Sequence, residues 1–231
     1  MPILNVKNLS VSFDNRSVVC DLSFSLEKGE CLAIIGPNGS GKTVLLKALL
    51  GIIPYEGEIK WAEDVKLGYV PQKIDADRHL PLNLKNLLTA KARIARLPKS
   101  EIKTLSKTIE LQPDILTSPI GHLSGGQFQK ALIAFALLGN PNVILFDEPT
   151  ASLDQLTEEH VYELVHNLQE KHGITVFLVS HDLTVVYRYA TKVLCLNRKA
   201  ICFGTPQEAL QPRILEKLYA APHKYHHHDH E

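Results

Sequence analysis

Residues Gly36-Pro37-Asn38-Gly39-Ser40-Gly41-Lys42-Thr43 place three glycines, a lysine and a hydroxyl at a spacing suited to holding phosphate. Gly36, Gly39 and Gly41 let the backbone turn tightly and aim N–H groups at phosphate oxygens. Lys42 reaches for the β- and γ-phosphates, and Thr43 offers its hydroxyl to Mg²⁺. An apolar run, Cys31 to Ile35, leads in, and VLLKALL (residues 44–50) leads out with helical periodicity. The phosphate therefore meets the positive end of a helix as well. Pro37, Asn38, Ser40 and Val44 complete the stretch expected to contact a nucleotide.

A phosphate loop of this kind needs a carboxylate at the end of a neighbouring buried strand, and VILFDEP (residues 143–149) supplies two. Asp147 is placed to hold Mg²⁺ through water, and Glu148 to orient and polarise the water that attacks the γ-phosphoryl group. Adjacent acids in apolar surroundings carry a steep desolvation cost unless a cation or donor meets them. A metal-nucleotide site accounts for both.

A second element, LSGGQ, opens an apolar helix-forming run. Ser124 and Gln127 have the spacing of a helix-capping box. A cap alone does not call for Gly125 and Gly126, which weaken a first helical turn. Bare N–H groups beside a serine hydroxyl make a second anion cradle, about 80 residues from the first. The two cradles serve either two phosphates or one phosphate gripped from two molecules.

The elements that position these residues are legible from the apolar patterning. Runs near 31, 143 and 175 are almost wholly apolar, as in central parallel strands covered on both faces. Lys66–Val70, Val193–Leu196 and Ala200–Phe203 read as further strands. Ile3–Val6 and Val18–Leu26 mix or alternate polar with apolar residues, as in an antiparallel sheet at one side. Residues 157–173 read as a helix that Gly173 stops, and Gly51 stops the helix after the phosphate loop. Helical periodicity over 83–97 and 101–111, with no strand between, makes residues 73–138 a helical insertion into an α/β unit. The expected organisation is one domain over residues 1–210 and a C-terminal extension over 211–231.

With 25 basic and 25 acidic side chains the net charge is zero, which gives no support to a general attraction to nucleic acid or anionic lipid. Cys20, Cys31, Cys195 and Cys202 lie singly in apolar runs, a pattern expected of reduced, mostly buried thiols in a cytoplasmic compartment. No apolar run approaches the roughly 20 residues needed to span a bilayer.

The phosphate loop, Gln72 in YVPQK, LSGGQ, VILFDEP, Asp154 in ASLD and His181 after VFLV together resemble the nucleotide-binding subunit of ABC transporters, up to about residue 210. The resemblance implies an α/β P-loop ABC ATPase fold with a parallel-sheet core, an N-terminal antiparallel β subdomain and an inserted helical subdomain. It implies ATP and Mg²⁺ as ligands, and a head-to-tail homodimer in which each ATP lies between the phosphate loop of one chain and LSGGQ of the other. By that analogy Ser124 and Gly126 touch the γ-phosphate held by the partner copy's lysine, and Phe13 stacks on adenine. Gln72 senses Mg²⁺ and γ-phosphate, Asp154 crosses the dimer interface, and His181 contacts the γ-phosphate and positions Glu148. Two letters depart from the usual pattern: Lys130 and Phe135 stand where arginine is common, which loses a planar guanidinium fork and a charge.

The segment VLCLNRKAICFGTPQEAL and the ending HHHDH narrow the resemblance to ATPases of bacterial zinc uptake, within a zinc, manganese and iron branch. That reading implies import of a divalent metal ion, Zn²⁺ first, through separate integral membrane permease subunits. A periplasmic or surface metal-binding protein is the indirect partner, and the cytoplasmic face of the bacterial plasma membrane the location. His223, His226, His227, His228 and His230 are candidate transition-metal ligands, with a neutral end and an expression tag as the alternatives. Imidazoles suit Zn²⁺, but a run of them binds with poor selectivity. The other functions weighed are an importer ATPase for Mn²⁺, Fe²⁺ or a non-metal solute, a soluble ABC protein of translation or DNA repair, and an ATP-dependent switch without hydrolysis.

Overall fold

The computed structural model describes residues 2–14, 16–72, 82–150 and 155–219, with no side-chain description at 155 and 156. Asp154 and the histidines at 223, 226, 227, 228 and 230 lie outside the described residues, as does the start of the insertion. The chain runs β1 (Leu4–Phe13), β2 (Arg16–Leu26), β3 (Cys31–Ile35), α1 (Lys42–Leu49), β4 (Glu56–Trp61) and β5 (Leu67–Val70). The inserted helices follow: α2 (Leu84–Ile94), α3 (Ser100–Thr108), α4 (Pro113–Thr117) and α5 (Gly125–Leu137). The core resumes with β6 (Val143–Asp147), α6 (Gln155–His172), β7 (Thr175–Val179), α7 (Leu183–Tyr189), β8 (Lys192–Asn197), β9 (Lys199–Gly204), α8 (Pro206–Ala209) and α9 (Pro212–Tyr219).

The larger sheet has the order β5-β6-β7-β3-β8-β9, parallel throughout except for β9, which turns back antiparallel at the edge. Every residue of β3, β6 and β7 is buried, as their unbroken apolar runs require of strands covered on both faces. In this arrangement the carboxyl ends of β3, β6 and β7 lie side by side, where open α/β sheets place their ligands. The smaller sheet, β2-β1-β4, is antiparallel, as the alternation in the first strands predicts. β1 runs well past the expected Val6. Asn8 takes a left-handed conformation (φ 50°) where the register shifts, and Leu9 and Val11 then return to the buried face.

One apolar core lies between the two sheets and encloses α1, with Leu4, Leu22, Leu32, Leu46 and Phe177 fully buried. Trp61 packs edge-on against Phe177 and donates its indole N–H to Leu49 O. A second core joins the inserted helices to the sheet, running from Leu84 and Leu88 through Ile133 and Ala134 to Phe146 and Leu178. The insertion is thus welded to the strand that carries Asp147. At Phe135, Lys91 of α2 lies over the ring, 4.6 Å from its centroid, and also donates to Phe135 O. A cation is therefore supplied from the neighbouring helix where the sequence lacks an arginine.

A third core sits under α7, α8 and α9 and includes Ala33, Val193, Cys195 and Leu218. The segment expected to begin an extension at 211 is in part a packed element: Leu218 is buried and its carbonyl accepts from Asn197 Nδ2. The expectation of reduced thiols is corrected in this region. Cys20 and Cys31 are free, but Cys195 and Cys202 form a disulfide across the β8–β9 hairpin. A register shift between Cys195 and Leu196 sets the two cysteines opposite each other. Without it Cys195 would face Ile201.

Candidate nucleotide site

The phosphate loop leaves β3 and enters α1 without a side-chain cap, so the first N–H groups of the helix stay unclaimed by side chains. Gly36 is indispensable because a Cβ there would run into the carbonyl oxygen of Leu196 on β8. Gly41 has φ 102°, and a Cβ would press on Val18 O of β2 at 3.0 Å. Ser40 is buried, and its Oγ has no hydrogen-bond partner among the described residues. A buried orphan hydroxyl inside a glycine cradle suits an anionic oxygen.

Lys42 is 7 % exposed and donates to Gly36 O at 3.0 Å and Pro37 O at 3.2 Å, folding back over the loop it follows. Its ammonium also lies 3.7 Å from Glu148 Oε1. Thr43 Oγ1 donates to Asp147 Oδ1 at 3.0 Å, joining two residues 104 positions apart in sequence. Burial pushes the Asp147 carboxyl above the usual carboxylate range and Glu148 adds to the rise, while Thr43, Tyr69 and Lys42 oppose it. A divalent cation at Thr43 and Asp147 would offset this cost, so the hydroxyl-carboxylate pair fits Mg²⁺.

Glu148 follows β6 in a left-handed backbone conformation (φ 47°), uncommon for a residue with a Cβ and found disproportionately at functional sites. Gln72 Nε2 donates to its Oε2 at 2.6 Å, and its own N–H donates to Val179 O of β7. Gln72 and Lys42 thus meet at Glu148, next in the chain to Asp147. His181 is exposed, two residues beyond Val179, which faces Asp147 across the β6–β7 ladder. Phe13 is 43 % exposed at the end of β1, in the hairpin whose other strand passes Gly41.

Two features escaped the sequence analysis. Tyr69 on β5 donates to Asp147 Oδ2 at 3.4 Å, and burial and the Asp147 charge push its phenol up to about 12. A largely buried chain of hydroxyls also ties the turn after β6 to the turn after β7. Thr150, just after Glu148, donates to Glu158 and meets Tyr162 OH at 2.9 Å. Tyr162 OH lies 3.5 Å from Ser180 Oγ, which in turn accepts from Asp182 N beside His181. The serine flanking His181 on one side carries the only sequence hint, a small hydroxyl at the end of an apolar strand.

Ser124 caps α5: its Oγ accepts from Gln127 N at 3.3 Å, and Gln127 Oε1 accepts from Ser124 N at 3.0 Å. Gly126 has a packing reason as well, because a Cβ there would lie 2.5 Å from Thr157 Cγ2. Gln127 also donates to Asp114. Among the described residues no hydrogen bond joins Ser124 or Gln127 to the phosphate loop. The sequence profile of the ABC transporter family matches residues 19–151. This chain belongs to that family.

As an ABC transporter subunit it is an ATP-hydrolysing protein, and ATP and Mg²⁺ binding belong to its fold. It is 38 % identical over 231 residues to the zinc import ATP-binding protein of Rickettsia conorii, covering 99 % of this chain and 98 % of that one. The zinc import ATP-binding protein of Hydrogenovibrio crunogenus is 35 % identical over 243 residues, with 99 % and 93 % covered. In fold, the ABC subunit superposes on a metal-chelate type ABC transporter solved in an inward-facing conformation, with a TM-score of 0.85 and 27 % identity over 96 % of this chain and 90 % of that one. Among the described residues no helix is long and apolar enough to cross a membrane.

Proposed function

We propose that this ABC subunit is the ATPase that energises import of a divalent metal ion, Zn²⁺ first, through separate integral membrane permease subunits. The observation that carries the reading is likeness along almost the whole chain, not only at the ATP motifs, to proteins named for zinc import. In this reading the chain sits on the cytoplasmic face of the plasma membrane. A periplasmic or surface metal-binding protein feeds the permease, and nucleic acid has no part.

Backbone N–H groups of Gly36 and of residues 38–44, with the Lys42 ammonium, grip the phosphates, while Thr43 and Asp147, with Gln72 beside them, would hold Mg²⁺. Bound there, Mg²⁺ would supply neutralisation of the charge that builds on the phosphoryl oxygens. Glu148 accepts the proton of the attacking water, and Gln72 fixes the carboxylate that does so. His181 orients Glu148 and the water, and Phe13 lies under the base. Ser124, Gly125, Gly126 and Gln127 close over the nucleotide of a second copy, and Asp154 joins them at the interface. ATP thus holds two copies head to tail, and its hydrolysis releases them against the permease. The ATPase domain is residues 1–210, against which α9 of the extension packs. To the tail imidazoles from His223 to His230 we assign loose, non-selective Zn²⁺ capture. Among the described residues no group of three or more His, Cys, Asp or Glu is arranged to hold a metal.

The test is to isolate the subunit with its co-purifying membrane proteins, reconstitute them in vesicles and follow ATP-dependent movement of Zn²⁺, Mn²⁺ and Fe²⁺. Zn²⁺ movement is the expected result. If all three ions stay still while an organic solute moves, the cargo assignment falls.

A further inference from the structure

The β8–β9 hairpin is more than an edge of the sheet, because its tip and one strand form the back wall of the phosphate loop. Gly36 packs directly on Leu196 O. Arg198, in the left-handed conformation at the tip (φ 59°), donates its N–H to Ser40 O at 3.0 Å and accepts from Cys20 N at 2.7 Å. The turn is therefore wedged between the phosphate loop and β2. Among the described residues β9 is hydrogen-bonded in the sheet to β8 alone, and Phe203 on it packs against Phe24 of β2, so the crosslink to β8 adds to the pairing and packing that close the hairpin.

Cys195 and Cys202 face each other one step from this contact, their Cα atoms 4.9 Å apart. We infer that this pair is a reversible dithiol-disulfide clasp that stiffens the hairpin behind the phosphate loop and so raises nucleotide affinity when closed. Access is one-sided. Cys195 is fully buried, whereas Cys202 lines an open cleft of about 450 Å³ with Phe203, Glu208, Gln211 and Ile214. An external dithiol attacks Cys202 Sγ as its thiolate, and the Cys195–Cys202 bond breaks with its electron pair going to Cys195 Sγ. Cys195 takes up a proton, and Ala209 O stands 3.9 Å away to accept the resulting S–H. The second thiolate of the reductant then attacks its own sulfur in the mixed disulfide and releases Cys202, which is protonated in turn. The protein gains two electrons and two protons, and the dithiol leaves as its cyclic disulfide. Opening removes the crosslink that holds Arg198 against Ser40, and the loop loses pre-organisation.

The test uses the full chain equilibrated with dithiothreitol or with its oxidised cyclic form. Alkylation and mass spectrometry of the peptide carrying Cys195 and Cys202 report the state of the pair. The Kd of a non-hydrolysable Mg·ATP analogue reports the consequence. The affinity is expected to fall at least about fivefold on reduction, the lower end of coupling between linked sites. Cys202→Ser should hold the weaker value in both buffers. Equal Kd values for the oxidised and reduced wild type overturn the inference, and that comparison needs no variant. So does finding both thiols free in the oxidising buffer, or a redox-dependent Kd that survives in Cys202→Ser and so belongs to Cys20 or Cys31. None of these outcomes bears on which ion the complex moves.

Discussion

Replacing Glu148 with glutamine is expected to slow phosphate release by about two to four orders of magnitude, the usual worth of a positioned general base. The amide keeps the size of the side chain and its neighbour Gln72, but it cannot take a proton from water. The change removes the carboxylate 3.7 Å from Lys42, but the ammonium keeps Gly36 O and Pro37 O and gains the phosphates as its anionic partner, so Mg·ATP should still bind and, being trapped, should hold two copies together. Phosphate release and sedimentation with Mg·ATP check the two halves of the prediction. Unchanged turnover would remove Glu148 from the chemistry, and a strictly monomeric variant at saturating Mg·ATP would remove the shared site.

Lys42→Ala should act earlier, at binding. The ammonium is almost wholly buried and turned toward Gly36 O, Pro37 O and Glu148. Deleting one partner of a buried charge pair costs about 2–5 kcal/mol. At about 1.4 kcal/mol per tenfold, that is a loss of roughly 30-fold to several thousand-fold in affinity. Equilibrium binding of a Mg·ATP analogue measures it directly. The two variants therefore separate: one binds without turning over, the other fails to bind.

The parts of this site legible in the sequence were those coded by short-range pattern. Cys31–Ile35 and Val143–Phe146 are too uniformly apolar for anything but covered strands, and the glycines of the phosphate loop mark where backbone must approach backbone. Leu196 O against Gly36 is that approach, yet nothing near residue 36 names its partner 160 positions later. Tyr69 and the Thr150–Tyr162–Ser180 chain were missed for the same reason: each residue looks ordinary until the sheet order sets β5 beside β6 and β6 beside β7. β4 went unread because its exposed, charged face hides the alternation, and α7 because its seven residues are too few to display a period. The Cys195–Cys202 bond depended on a one-residue shift in register, which spacing alone does not encode.

The central claim is that each nucleotide is gripped by two copies, the phosphate loop of one and Ser124 of the other. Lys42→Ala disables the first half. Ser124→Asp disables the second by placing a carboxylate in the cradle, while an aspartate still caps α5 as serine does. Each variant alone should be inactive. When the two are mixed, pairs form in which one pocket carries both lesions and the other carries neither, and ATP hydrolysis should reappear in proportion to the mixed pairs. Hydrolysis that stays at the level of the separate variants, with mixed pairs demonstrably present, would contradict the shared pocket.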